Sequence, residues 1–138
     1  MAIKFYPHHF SLTVRNGQIS SDFFNTFGFS QLSEYANEEL RIVHLVNDGF
    51  IVELFEYFDK RDIESMPDND PHNLGVEHFG FRVDDLVEAR RLLSEKGFDV
   101  TEPRTAKTEG IEYFFVYDPD GNRFEILTDT RIAGGRNG

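Results

Sequence analysis

The chain has 138 residues, enough for one compact domain or for two small ones sharing a core. Hydrophobic residues at 39% and charged residues at 28% argue against a disordered tail, and no apolar run approaches the ~18 residues of a spanning helix, which argues against a membrane protein. Fourteen Lys and Arg against twenty-five Asp and Glu leave a net charge of −11, which repels phosphate backbones and argues against nucleic acid but is compatible with a bound cation. Cysteine is absent, so disulfides, thiolate metal sites and cysteine nucleophiles are excluded. The N-terminal stretch MAIKFYPHHF lacks the apolar run of a signal peptide, and the expected location is the cytoplasm.

In chain order, His8 to Arg15 alternates as a half-buried strand, with Phe10, Leu12 and Val14 on one face and His9, Ser11 and Thr13 on the other. An amphipathic helix is expected over Ile19 to Phe27, capped by Ser20 or Ser21. Leu40 to Val46 and Phe50 to Phe58 read as strands flanking a hairpin turn at Asn47-Asp48-Gly49. Asp59 to Leu74 is a polar joint containing Pro67 and Pro71. His78 to Val83 alternates again, with Phe79, Phe81 and Val83 on the apolar side. A second helix follows, capped by Asp84 or Asp85, with Leu86, Ala89, Leu92 and Leu93 as its apolar stripe and Gly97 as its stop. Glu112 to Tyr117 and Arg123 to Thr128 are strands around a turn at Pro119-Asp120-Gly121-Asn122.

The chain repeats itself. His9 to Gly28 and His78 to Gly97 both span nineteen residues, and the offset between copies is 69 from the His through Val14/Val83 to the Gly-Phe pair. Further on, Asp48-Gly49 precedes Glu53 as Asp120-Gly121 precedes Glu125, with four residues from Gly to Glu each time and an offset of 72. The second copy therefore carries about three extra loop residues. The reading is one α+β domain over 1–138, built from two βαβββ modules at about 5–58 and 75–130, with three strands after each helix.

Period-two alternation then sorts the polar side chains. With the apolar faces under the helices, His9 and His78 point to the opposite side. Glu53 shares its face with Ile51, Phe55 and Tyr57, and Glu125 shares its face with Arg123 and Leu127. A carboxylate in the middle of an apolar strand is costly to bury unpaired, and both modules place one at the same point after the same turn. Two His and two Glu converge in one cleft if the modules pair symmetrically. Imidazole and carboxylate without sulfur suit one divalent ion per site: Zn, Ni, Co, Mn or Fe(II). Arg82 and Arg123 share the inward face and either hold an anionic substrate group or offset the acidic surroundings. His8, His44 and His72 read as hydrogen-bonded core or surface histidines rather than ligands, with His8 pointing away from His9, and Glu56 reads as solvated.

At HFSLTV, VELFE, EHFGFRVDD and YDPDGNRFEIL the sequence resembles the vicinal oxygen chelate superfamily, which includes glyoxalase I, extradiol dioxygenases, methylmalonyl-CoA epimerase and the fosfomycin and bleomycin resistance proteins. The resemblance covers His9 to Thr128 and implies two βαβββ modules forming a cupped mixed sheet around a metal. It carries the metal ligands onto His9, Glu53, His78 and Glu125. A His/Glu/His/Glu set looks like glyoxalase I, because dioxygenases of this fold use two His and one Glu. The implied activity is that of a metal-dependent lyase or isomerase acting on a small hydroxy-carbonyl or thiohemiacetal-type substrate through an enediolate. Glu125 or Glu53 would move the proton. Two departures bear on the substrate. Thr13 stands where glyoxalase I commonly has the Arg that holds a glutathione carboxylate, and Tyr57 stands where it has an Asn. The alternatives are an Fe(II)-dependent dioxygenase with Glu53 an onlooker, and a resistance protein that binds a small molecule without turnover. The expected assembly is a homodimer with shared metal sites, each taking His9 and Glu53 from one subunit and His78 and Glu125 from the other.

Overall fold

Apolar alternation decides which face of each strand meets a helix, and it does so twice. The structure, a computed structural model, describes residues 3–4, 6–59, 74 and 76–132. The chain divides into two compact units, Met1–Ser65 and Met66–Gly138. His72 and most of the polar joint lie outside the described residues.

The first unit runs β1 (His9–Thr13), α1 (Gly17–Asn25), β2 (Ser30–Ala36), β3 (Leu40–Asn47) and β4 (Phe50–Tyr57). Its sheet has the order β1-β4-β3-β2, with β1 parallel to β4 and the other neighbours antiparallel. Val14, Phe23, Phe24, Phe29, Val43, Leu45, Val52 and Leu54 are the buried apolar core. The Phe24 ring lies 6.4 Å from Phe10, 5.2 Å from Phe23 and 5.8 Å from Phe29, so much of the chain's Phe content goes into one aromatic cluster between helix and sheet. Every residue of β2 is exposed, which leaves it as an edge strand without apolar alternation.

Helix α1 begins two residues before the expected Ile19 and is capped by Asn16, whose Oδ1 accepts the Ile19 N–H at 3.0 Å. Glu56 adds a second acceptor at this terminus, taking the Gly17 N–H at 2.8 Å from the helix-facing side of β4. Its side chain is only 14% exposed, so the solvated reading of Glu56 is corrected. A methyl group on residue 17 would come within 2.9 Å of that carboxylate, and glycine fits for that reason. Ser20 and Ser21 are not caps. They lie inside the helix, buried, and neither hydroxyl has a hydrogen-bond partner among the described residues. Ser20→Ala removes a desolvated hydroxyl and improves helix propensity, so it is expected to stabilise the protein by about 1 kcal/mol. Urea unfolding measures this, and a lower midpoint would contradict it.

The second unit repeats the plan as β5 (Phe79–Arg82), α2 (Leu86–Glu95), β6 (Arg104–Thr105), β7 (Ile111–Tyr117) and β8 (Arg123–Asp129), in the sheet order β5-β8-β7-β6. Again the first strand is parallel to the last and the hairpin is antiparallel. Asp85 caps α2 through the Glu88 N–H at 3.0 Å, and Gly97 leaves the helix at φ 88°. The strand after α2 is reduced to two residues, supplemented by an isolated bridge between Val100 and Val116. Leu86, Leu93, Phe114, Val116, Phe124 and Ile126 form the core. The β7–β8 turn is organised by buried Asp118, whose oxygens accept Asp120 N–H at 2.9 Å, Asn122 N–H at 2.8 Å and the Asn122 side-chain amide at 3.0 Å. Burial pushes the Asp118 carboxyl up in spite of these bonds. Asp118→Ala leaves those donors without their acceptor, and a cost of about 2 kcal/mol is expected as a lowered thermal midpoint.

The fold is therefore α+β, two βαβββ modules with identical strand order. No helix among the described residues is long and apolar enough to cross a membrane.

Candidate functional site

In the first unit, the open face of the sheet collects the polar residues that alternation turns away from α1. The β1–β4 register sets Ser11 beside Glu53, and the β3–β4 register sets His44 opposite it. The Ser11 hydroxyl donates to Glu53 Oε1 at 2.6 Å, and His44 Nε2 meets Oε2 at 2.7 Å. His9 approaches the same carboxylate through Nε2, at 3.8 Å from Oε1. The hydrogen bond from Ser11, then that from His44, holds the Glu53 carboxyl below the usual carboxylate range. The second nitrogen of His9, Nδ1, lies 2.8 Å from His8 Nδ1, with the two rings edge to face.

One expectation is corrected at this point. His8 does not point away from His9, because strict alternation applies within a strand and His8 precedes β1. His44 is a hydrogen-bonded histidine, as expected, and its partner is one oxygen of the Glu53 carboxylate.

The second unit builds the matching arrangement. His78 Nε2 lies 3.0 Å from Glu125 Oε1, and His78 Nδ1 lies 2.8 Å from Glu77 Oε1. Register places Gly80 beside Glu125 where the first unit has Ser11 beside Glu53, and Phe115 opposite Glu125 where it has His44. Glu125 accordingly has His78 as its one hydrogen-bond partner among the described residues, whereas both oxygens of Glu53 are engaged. Arg123 pairs with Glu77 and lies over the Phe115 ring, 4.4 Å from its centroid. The hydrogen bond with His78 and then that from Arg123 hold the Glu77 carboxyl below its ordinary range. Arg82 donates to Asp84 at 3.2 Å, and that carboxylate is 83% exposed.

The shared feature is chemical as well as topological. In each unit the residue just before the His engages Nδ1, and Nε2 faces the strand glutamate. Each unit so offers one imidazole nitrogen and one carboxylate, a donor set that fits a hard or borderline divalent ion. Among the described residues, no group of three or more His, Asp or Glu side chains is arranged to hold an ion by itself.

A model of the Glyoxalase/Bleomycin resistance protein/Dioxygenase superfamily matches residues 6–126. The chain belongs to this superfamily. It is 28% identical over 123 residues to the uncharacterized protein YwkD of Bacillus subtilis, covering 86% of this chain and 93% of that one. It is 37% identical over 81 residues to a probable chloroplastic lactoylglutathione lyase of Arabidopsis thaliana, a match covering 56% of this chain and 21% of that longer protein. Among solved structures, a glyoxalase family protein from Enterococcus faecalis superposes with a TM-score of 0.78 at 25% identity, covering 88% of this chain and 96% of that one. The fosfomycin resistance protein FosX from Listeria monocytogenes, solved with Mn(II) and sulfate, shares the fold at a TM-score of 0.68 and 15% identity, over 94% and 95% of the two chains.

Proposed function

We propose that the protein is a divalent-metal-dependent lyase or isomerase of the glyoxalase type, with His9, Glu53, His78 and Glu125 as ligands to Zn, Ni, Co, Mn or Fe. The observation that carries this reading is the repeated pair: His9 with Glu53 at 3.8 Å and His78 with Glu125 at 3.0 Å, each His engaged at Nδ1 and directed at its Glu through Nε2. Neither pair completes a site. The reading therefore joins them across a homodimer, His9 and Glu53 from one subunit and His78 and Glu125 from the other. When bound, the ion supplies Lewis-acid polarisation of a substrate carbonyl.

The chain's own groups have separate tasks. Glu125 removes and returns the proton at the carbon next to the carbonyl, because its second oxygen has no hydrogen bond among the described residues. With an ion bound, Glu125 would serve both as a ligand and as this base. Glu53, bonded on both oxygens, stays fixed. Arg82 holds an anionic group of the substrate, since its partner Asp84 lies in water, while Arg123 is committed to Glu77. The relation to a probable lactoylglutathione lyase and the Mn(II) of a neighbour of the same fold are in keeping with this chemistry.

The test is metal analysis of protein purified without added ions, followed by a panel of α-keto-aldehydes with different thiols. Wild-type protein is expected to carry one divalent ion per chain, and His78→Ala to lose it while keeping its far-ultraviolet circular dichroism. Full metal content in His78→Ala overturns the ligand set. One observation favours a second reading, an Fe(II) dioxygenase held by His9, His78 and Glu125. Ser11 and His44 already occupy both oxygens of Glu53. Glu53→Ala separates the two: a dioxygenase keeps its metal, and the glyoxalase-type site loses most of it.

A further inference from the structure

In the second unit, four contacts close a ring around His78. Its Nδ1 meets Glu77, Glu77 pairs with Arg123, Arg123 lies over Phe115, and the Phe115 ring packs against the His78 ring at 5.4 Å and 78°. Neutral imidazole carries one N–H, and two carboxylates compete for it, Glu77 at 2.8 Å and Glu125 at 3.0 Å. Only the first of these has a cation fixing its orientation. Glu125 stands beside Gly80, which has no side chain to hold it.

We propose that Glu77 and Arg123 are positioning residues that hold neutral His78 as the tautomer protonated on Nδ1, with its Nε2 lone pair directed at the Glu125 side. The clamp has two parts. Arg123 keeps the Glu77 carboxylate aimed at Nδ1, and the same guanidinium lies over Phe115, which packs against the ring, so hydrogen bond and packing fix one orientation. The first unit is an internal control. There His8 stands in the place of Glu77, Ile51 in that of Arg123 and His44 in that of Phe115, so no comparable ring exists around His9. The inference rests on reading His78 as a ligand through Nε2 and adds which residues prepare it. It also removes Arg123 from the substrate-binding set.

Nitrogen-15 spectra of histidine-labelled, metal-free protein at about pH 9, above the ordinary histidine range, report the tautomer of each ring directly. Wild-type His78 is expected to carry its proton on Nδ1. Arg123→Gln and Glu77→Ala are expected to convert it to a mixture richer in the Nε2-protonated form, with the His9 signals unchanged. Arg123→Lys keeps the charge but loses the planar fork, so it should restore the wild-type signature only in part. Titration with Co(II) should then show affinity about 10–100-fold weaker in Arg123→Gln. Wild-type His78 protonated on Nε2, an Arg123→Gln spectrum identical to wild type, or equal changes at His9 and His78 would each overturn the clamp. The expected tautomers in a protein that takes up no ion would uphold the clamp and refute the proposed metal chemistry.

Discussion

Mixing His9→Ala chains with His78→Ala chains under subunit exchange is expected to bring back about a quarter of the wild-type metal content, although neither variant binds metal alone. The figure follows from the proposed sharing. Random exchange makes half of the dimers heterodimers. In a heterodimer one site takes an intact His9–Glu53 pair from one chain and an intact His78–Glu125 pair from the other, while the second site lacks both histidines. Each unit displays one such His–Glu pair on the open face of its own sheet, so the recovered site needs nothing else from the damaged halves. Metal should also raise the dimer's stability by mass action, making its dissociation dependent on ion concentration. Mixing that restores no metal, or a metal-loaded protein that sediments as a monomer, would show that the pairs do not combine across subunits.

The repeat was legible because it is written in spacing. The 69-residue offset of His9 and His78, together with the Asp-Gly turns before Glu53 and Glu125, anticipates two sheets of identical order. The position of His44 is written in the hairpin turn. Asp48 and Gly49 have φ of 53° and 83°, a two-residue turn with both positions in the left-handed region, which pairs Asn47 with Phe50. Three steps back from that pair, His44 faces Glu53. Other features had no local signal. His8 and Glu77 reach Nδ1 of the next residue from just outside a strand, where period-two reasoning has no force. Asn16, rather than the expected serines, caps α1 through its own local bond to the Ile19 N–H, whereas the Glu56 carboxylate that takes the Gly17 N–H comes from a strand 39 residues away. Only tertiary structure brings that carboxylate to the helix terminus. β2 carries no apolar alternation, and β6 has only two residues, so composition marks neither.

The hemithioacetal of methylglyoxal and glutathione is expected to be a poor substrate, and esterifying its glycine carboxylate should change kcat/KM by less than about twofold. Resemblance to glyoxalase I leads to the opposite expectation, so the reason has to lie in particular side chains. Thr13 ends β1 on the open face, exposed and paired in register with Phe55, and it brings no charge to meet a carboxylate. Tyr57, at the other departing position, stacks on Phe55 with ring centroids 6.4 Å apart, so an aromatic surface stands where an amide would offer hydrogen bonds. A charge-assisted bond to such a carboxylate contributes about 1.5–3 kcal/mol, or roughly 10–150-fold in kcat/KM, and this unit has no cation at Thr13 to make it. An enzyme that uses the bond loses that factor on esterification; one that lacks it does not. A kcat/KM near ~10⁶ M⁻¹s⁻¹ for the free acid, falling tenfold or more for the ester, would show that another cation has taken over the role. Arg82, on the equivalent strand of the second unit and four residues after His78 as Thr13 is four after His9, is the side chain to test for it. If Arg82→Gln then abolished the difference between acid and ester, the carboxylate anchor would lie in the second unit.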